Sequence, residues 1–214
     1  MEARVVFEIL GVPVTENVVW TWAVMAVLII GSAIFTRNLR RIPTGVQHVV
    51  ELVVDGIEGM VVRDIGPRGR VFTPFLMTLA LYILLSNFAG VLPGGVSPTG
   101  SLSTTAALAV LVLIVSHGAE IKVKGLRAYL KSYVDPYFVL LPLNIVGEIS
   151  KVLSHAFRLY GNIFGGGLII SIIYMFVPYV VPGVLNIWFG FFQGIIQAAV
   201  FVMLAIVYIQ SRLE

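Results

Sequence analysis

The residue with the most distinctive chemistry in this sequence is Arg158, which lies within HAFRLYGNIFGGG between long apolar segments. Its guanidinium stays protonated at any accessible pH. Placing such a charge near the centre of a lipid bilayer costs about 2.5–3.5 kcal/mol even on the lenient insertion scale. An anionic partner or a water-filled cavity must offset that cost. A charge in this setting therefore predicts a pathway for ions.

Polar residues recur around Arg158 at steps of three and four, which places them on one face of a helix. The last apolar segment carries a second set with the same spacing. We expect the two faces to meet each other. The first set is Lys151, Ser154, His155, Arg158 and Asn162, and the second is Asn186, Gly190, Gln193 and Gln197.

The amides on these faces have two interpretations. Asn and Gln side chains between membrane helices can simply hydrogen-bond to each other, which is worth about 0.6 kcal/mol on average. For Gln193 alone, the sequence is equally consistent with this structural role and with a role in the ion pathway. Gln197 and Asn162 favour the pathway, because a buried charge needs several satisfied neighbours. Ser154 and His155 join the candidate pathway, His155 as a proton relay that Arg158 biases toward its neutral form.

The composition indicates whether the helices that position these residues lie in water or in a lipid bilayer. Hydrophobic residues make up 58% of the chain and charged residues 12%, and the mean hydropathy is +0.99. A soluble domain of this length would not tolerate such a surface, so an integral membrane protein is predicted. The net charge of +3 comes from cations clustered in loops, which argues against nucleic-acid binding. The chain has no cysteine, which excludes disulfides and thiolate metal sites.

The hydropathy pattern predicts a single all-α membrane domain over 1–214, with about five membrane helices and one interfacial amphipathic helix. A spanning helix needs about 20 apolar residues. Gly and Pro clusters separate the apolar segments. The predicted elements are an outer tail at 1–16, spans at 17–36, 72–92 and 104–121, the amphipathic helix at 43–63, and a final pair of long helices at 144–176 and 184–212.

The final pair is too long to stand upright in a bilayer. At about 1.5 Å per residue, a helix over 144–176 extends roughly 50 Å, against a hydrocarbon core of about 30 Å. We therefore expect both helices to be strongly tilted, unless the glycines at 165–167 break the first of them.

Lysine and arginine concentrate in two loops, which predicts that these loops are cytoplasmic. The N-terminus is then outside and the C-terminus is in the cytoplasm. The cations are Arg37, Arg40, Arg41, Arg63, Arg68 and Arg70 in the loop after the first span, and Lys122, Lys124, Arg127 and Lys131 in the loop after the third span.

Four segments together resemble subunit a of the rotary F-type ATP synthase, in the same order and over roughly residue 20 to the end. They are TPFLMTLALYILLSNFAGVLPG, KGLRAYLKSYVDPYFVLLPLNIVGE, NIVGEISKVLSHAFRLYGNIFGG and GIIQAAVFVMLAIVYIQ. By this resemblance Arg158 corresponds to the essential arginine of the family. Asn162 corresponds to the amide that follows it, and Gln197 to the glutamine on the last helix that faces it.

The resemblance implies an ion-translocating stator with two aqueous half-channels, not an enzyme, and without a cofactor or metal. Its expected partners are the c-ring, whose small subunits each carry one carboxylate, the b subunits of the peripheral stalk, and the lipid bilayer. Its cargo is H⁺ or Na⁺. The expected location is the plasma membrane of a bacterium.

The sequence departs from this family at TGSLS, residues 99–103, where relatives often have an Asp after the Thr, and at two positions of the expected outer half-channel. Many relatives have an acidic or imidazole side chain five residues after the Asn and a complementary one seven residues before the Gln. Here these positions are Gly167 and Gly190. The outer half-channel must therefore use other groups or water alone.

Two other functions are weaker candidates. A stand-alone secondary transporter would bind an anionic substrate at Arg158, but it predicts an inverted repeat, which five spans do not show. An intramembrane enzyme would need a nucleophile with a base, or a metal set, in the spans. The three histidines, His48, His117 and His155, are spread too far apart for that.

Overall fold

A computed structural model describes residues 5–9, 12–37, 45–92, 94–132, 141–177 and 180–213. Within these ranges five helices are long and apolar enough to cross a membrane. The predicted class, an all-α integral membrane protein, is confirmed. The elements are β1 (Val5–Ile9), β2 (Val12–Thr15), α1 (Glu16–Thr36), α2 (Val46–Ile65), α3 (Thr73–Ala89), α4 (Leu102–Lys124), α5 (Leu126–Ser132), α6 (Leu141–Phe176), α7 (Val180–Ile187) and α8 (Gln193–Leu213).

Three short helical segments connect these elements. Two of them are 3₁₀ turns, one before α3 and one before α4. The third is a π-helical stretch between α7 and α8, so that helical backbone is continuous from Val180 to Leu213. The segments are Pro67–Phe72, Pro98–Gly100 and Trp188–Phe192.

The N-terminal part contains an antiparallel hairpin, which the sequence pattern did not indicate. β1 pairs with β2, and Val14 on β2 is buried. The hairpin leads directly into α1. The predicted tail residues 1–4, the predicted helix positions 43 and 44, and the loop cations Arg40 and Arg41 lie outside the described residues.

The core forms around α8. Its buried face, which includes Phe201, Ala205 and Ile209, contacts helices α2, α3 and α4. Leu76 and Ile83 on α3 are fully buried in the same cluster. By contrast, α1 and α6 expose most of their apolar side chains. In a bilayer such faces are available to lipid or to neighbouring subunits.

Helix α6 runs for 36 residues from Leu141 to Phe176 without a break at 165–167. Gly166 lies where α6 approaches the π-helical stretch, and a Cβ atom there would be 3.1 Å from the ring of Phe189. These glycines therefore permit close packing and do not end the helix. A helix of this length extends about 54 Å, against a hydrocarbon core of about 30 Å. A strong tilt of α6 in the bilayer therefore stays a prediction.

Candidate functional site around Arg158

Arg158 lies near the middle of α6, on a side that is exposed in the isolated chain. Ser154 and Gly161, each about one turn away, are exposed as well, and a Cβ at Gly161 would meet no atom within 4 Å. Among the described residues, none forms a hydrogen bond or an ion pair with the guanidinium. The charge of Arg158 therefore has no neutralising partner within the described part of the chain.

One hydrogen bond joins the two polar faces predicted from the sequence. Asn162 Nδ2 on α6 donates to Gln197 Oε1 on α8. Gln197 is 3% exposed, and its Nε2 is buried without a hydrogen-bond partner among the described residues. The structure thus brings this amide pair together one turn beyond Arg158. Both N–H groups of the Gln197 amide are thus left without a partner among the described residues.

His155 is buried between aromatic rings of α8. Its ring centroid lies 3.7 Å from that of Phe201 and 5.5 Å from that of Tyr208. Neither ring nitrogen has a hydrogen-bond partner within the described segments. Ser154 is exposed and Gln193 is half-buried, and no described hydrogen bond links either of them to Arg158. Ser154 and His155 therefore lie within about one turn of Arg158 on α6, and no described hydrogen bond connects any of the three residues to the arginine.

The two predicted polar faces meet at Gln197, but they do not face each other along the whole of the last span. A Cβ at Gly190 would lie 1.9 Å from Val91 Cγ2, and a Cβ at Gly194 would lie 2.9 Å from Asn87 Cβ. The glycines at the start of this last span therefore face the end of α3 and the residues after it, and not α6. The physical reason is that a helix surface without side chains lets the neighbouring backbone approach closely.

Asn87 is the polar residue whose role the sequence did not reveal. It is 1% exposed, accepts a hydrogen bond from Thr99 Oγ1 at 2.7 Å, and donates to the backbone oxygen of Gly194 at 3.3 Å. Thr99 in turn lies 2.8 Å from Ser97 Oγ. This chain of polar groups ties the loop before α4 to the helix that carries Gln197. Asn87 at the end of an apolar span was the only sequence signal for it.

A cleft of about 600 Å³ lies between α1, the α3–α4 loop, α6 and the start of the last span. We call it the glycine cleft, because five glycines line it. On α6 it extends over 160–171 and on the last span over 186–190, so it lies toward the C-terminal end of α6 from Arg158. Its lining glycines are Gly90, Gly95, Gly100, Gly167 and Gly190, and its polar side chains are Glu16, Asn17, Asn87, Ser97, Tyr160, Ser171 and Asn186.

The opposite side of Arg158 contains a group of paired charges, which we call the Arg212 cluster: Arg212, Glu120, Glu148, Lys151 and His117. Arg212 bridges Glu120 Oε2 at 3.2 Å and Glu148 Oε1. Lys151 Nζ lies 2.8 Å from Glu148 Oε1, and His117 Nε2 lies 3.6 Å from Glu148 Oε2. A small cavity lined by Glu148, Lys151 and Arg212 extends from this cluster to His155. The cluster therefore joins α4, α6 and α8.

The described residues contain no group of three His, Cys, Asp or Glu side chains that could hold a metal ion. What the arrangement provides is a permanent cation at the middle of a long helix. A wide cleft lies on one side of that cation and a compact charged cluster on the other. These features define a multi-pass α-helical membrane protein with a charged site at mid-span.

Comparison with known proteins identifies the family. The family model "ATP synthase A chain" matches residues 18–210. Proteins named "ATP synthase subunit a" are 42% identical in Trichlorobacter lovleyi, over 92% of this chain and 86% of that protein, and 40% identical in Geobacter sulfurreducens, over 93% and 88%. The protein of that name in Moorella thermoacetica is 37% identical, over 96% and 94%.

The chain therefore belongs to the ATP synthase A chain family, and the resemblance inferred from its sequence is confirmed. It is a bacterial multi-pass membrane protein. Its family is the membrane subunit of the ATP synthase and not a catalytic one.

Proposed function

We propose that this chain is the ion-translocating stator of the ATP synthase membrane sector, and that Arg158 makes carboxylates of a rotating c-ring release their protons beside it. The observation that supports this most is that Arg158 is exposed and has no counter-charge among the described residues. A mid-membrane guanidinium requires an anion or water. A ring of subunits that each carry one carboxylate supplies that anion from outside the chain.

The surface around Arg158 suits the approach of such a ring. Gly161 lies one turn away on the exposed side, and Phe157 and Phe164 flank it as exposed apolar side chains. Small residues let a neighbouring helix come close, and apolar flanks exclude water from the contact. A carboxylate facing lipid is neutral, because desolvation disfavours its charged form, whereas beside Arg158 the anion is favoured. The proton therefore leaves the ring carboxylate at the arginine.

Arg158 also separates the two half-channels. Because a guanidinium does not give up its proton, it cannot pass protons from one side to the other. The glycine cleft and the Arg212 cluster lie on opposite sides of it along α6. Each unit charge that crosses is worth about 2.3 kcal/mol per 100 mV. That free energy can bias ring rotation, because each half-channel opens to one side only.

The other candidate residues act around this exchange. The Asn162–Gln197 hydrogen bond fixes the side of α8 that faces the arginine. Ser154 lines the exposed face toward the Arg212 cluster. Gln193 lies one turn before Gln197, on the glycine-cleft side. His155, at the end of the small cavity, is the proton relay on the Arg212 side.

We assign the glycine cleft to the outer half-channel and the cavity by the Arg212 cluster to the cytoplasmic one. The N-terminus is then outside and the C-terminus is cytoplasmic, because cation-rich loops stay inside. The location is the bacterial plasma membrane. The b subunits of the peripheral stalk are further partners, and the exposed apolar faces of α1 offer surface for them or for lipid.

The test is Arg158→Ala in the assembled complex in inverted membrane vesicles. ATP-driven acidification of the vesicles should fall to background, while the c-ring and the b subunits still co-purify with the chain. Arg127→Ala is the matched control, since it removes an exposed arginine from the loop helix α5. Acidification by the Arg158 variant at the level of the control would contradict the proposal.

The same vesicles identify the ion. Acidification without added sodium, unchanged when sodium is supplied, is expected for a proton pathway. Acidification that sodium suppresses, with uptake of sodium by the vesicles in its place, would assign Na⁺ to the ring site instead and would leave the role of Arg158 intact.

A further inference from the structure

Among the described residues that line the glycine cleft, Glu16 carries the only carboxylate, and Tyr160 is the other titratable side chain. Glu16 therefore brings the one carboxyl group that the described lining residues offer to water in the cleft.

The fold positions Glu16 at the cleft. The hairpin of β1 and β2 ends at Thr15, Glu16 begins α1, and α1 contacts α3 and the 3₁₀ turn Pro98–Gly100. Glu16 is half-buried and forms no hydrogen bond or ion pair with another described residue. Its neighbour Asn17 has a buried Oδ1 without a described partner. The half-buried carboxylate of Glu16 can therefore bind water in the cleft.

Neither long helix contributes a charged group to this cleft. Gly167 on α6 lines it, and a Cβ there would meet no atom within 4 Å. Gly190 lines it as well, but a Cβ there would meet Val91 Cγ2 at 1.9 Å. The cleft therefore has room for a carboxylate at Gly167 but not at Gly190. The carboxylate that it does have comes from α1.

We propose that Glu16 is the proton-exchanging group of the glycine cleft. Its carboxylate accepts a proton from hydronium in the outer medium, which leaves a carboxylic acid and water, and the acid then returns the proton to water deeper in the cleft. Only O–H bonds form and break. This inference rests on the proposed function, since it assigns the chemistry of the half-channel that serves Arg158.

Polar groups continue inward from the cleft. Ser97 and Asn87 both line it, and the hydrogen bonds through Thr99 connect them to the backbone oxygen of Gly194. Gly194 lies one turn from Gln197, whose amide oxygen accepts a hydrogen bond from Asn162. A cleft of about 600 Å³ holds many water molecules, since each takes about 30 Å³ of liquid volume. Protons released by Glu16 thus enter a cleft that reaches Tyr160, two residues from Arg158.

The test begins with Glu16→Gln in the assembled complex in inverted vesicles. We expect ATP-driven proton pumping and ATP synthesis to slow about tenfold, less than the roughly 10²–10⁴ of a general acid–base group because cleft water also carries protons. Glu16→Asp should keep most of the rate. Glu8→Gln is the matched control, since Glu8 is exposed on β1 and does not line the cleft.

A rescue experiment separates proton exchange from a structural role. In the Glu16→Gln background, Gly167→Glu places a carboxylate on the opposite wall of the same cleft and should restore much of the rate. Gly167→Gln in that background adds the same volume without a titratable group and should restore nothing. Equal recovery with both substitutions would overturn the proposal, because volume alone would then be sufficient.

Failure of this inference differs from failure of the proposed function. If Arg158→Ala abolishes pumping while Glu16→Gln pumps like the Glu8→Gln control, the stator role holds and Glu16 is not the exchanging group. If Arg158→Ala pumps normally, the proposed function itself is wrong. Assembly is checked in every variant by co-purification of the c-ring, so that a lost complex is not mistaken for a lost pathway.

Discussion

The last two long helices each carry an arginine, and the surroundings of these two arginines are opposite. Arg212 at the end of α8 is paired with Glu120 and Glu148, and its side chain is 14% exposed. Arg158 at the middle of α6 is exposed and has no such pair within the described chain. Most glycines follow the same division. A Cβ added at Gly190 or Gly194 would meet neighbouring atoms, whereas one at Gly161 or Gly165 would meet nothing within 4 Å; Gly166 on α6, which packs against Phe189, is the exception.

This difference indicates that α8 and α6 have different roles in the structure. A buried charge without its partner is strongly destabilising, so Arg212 and its carboxylates hold the helices together where they meet. A charge without a partner among the described residues adds no ion pair to the fold, and its cost requires an anion or water. The structure therefore separates a packed central helix, α8, from a long helix, α6, whose arginine is exposed. Three substitutions test this separation.

The largest effect on stability is expected for Arg212→Ala. Removing the guanidinium leaves the carboxylate of Glu120, 3% exposed, unpaired in the interior. The loss should be about 3 kcal/mol, the lower end for a broken buried pair, because the cluster is partly open. Chemical unfolding of the purified complex in detergent micelles measures it.

Two controls sharpen this prediction. Arg127→Ala should change stability by less than about 0.5 kcal/mol, as exposed substitutions do. Adding Glu120→Gln to Arg212→Ala should recover part of the loss, since the orphaned charge is removed. An Arg212→Ala variant as stable as the parent would mean that the cluster does not hold the helices.

The second prediction concerns Gly190→Ala. The added Cβ would overlap Val91 Cγ2, so α3 and the last span must separate, at a cost of about 1–3 kcal/mol. Gly161→Ala on α6 is the matched control, and it should be neutral or stabilising by up to about 1 kcal/mol, since alanine favours a helix. The same unfolding measurement compares them. Val91→Ala should relieve the Gly190 variant, and a failure to do so would count against the overlap with Val91 as the cause of its instability.

The smallest effect is expected for Gln197→Met. It removes the bond from Asn162 at nearly constant volume, which should cost about 0.6 kcal/mol, the average for a hydrogen bond between membrane helices. Gln193→Met removes an amide one turn away that has no described interhelical bond, so its cost should be smaller. Proton pumping should fall more in the Gln197 variant. Equal stability and equal pumping in the two variants would remove Gln197 from the site.

Much of the fold could be predicted from the sequence, because a bilayer leaves few choices. Apolar segments of about 20 residues without charge must form helices, and five such helices are present in the described ranges. The hairpin before α1 was missed, since its two short strands have neither the length nor the composition of a span. The sequence also left open whether 165–167 breaks α6, because glycine permits both a break and close packing.

The candidate site was predicted less completely. Helical spacing placed Arg158 and Asn162 on one face, and the bond from Asn162 to Gln197 lies where those faces meet. The same spacing gave no hint that Gly190 and Gly194 face the α3 side, since periodicity defines a face but not its neighbour. The pairing of Arg212 with Glu120 joins residues 92 positions apart and had no local signal.

The sequence by itself determined the membrane class, the family and the residue that must carry the charge, because these depend on composition, local period and motif. The tertiary structure decided which charges are neutralised within the chain and which are not. It also decided where the glycines open a cleft and that Glu16, far from Arg158 in the chain, lines it. The physical reason is that hydropathy and periodicity are properties of neighbouring residues, whereas neutralisation and cavity shape depend on which helices pack together.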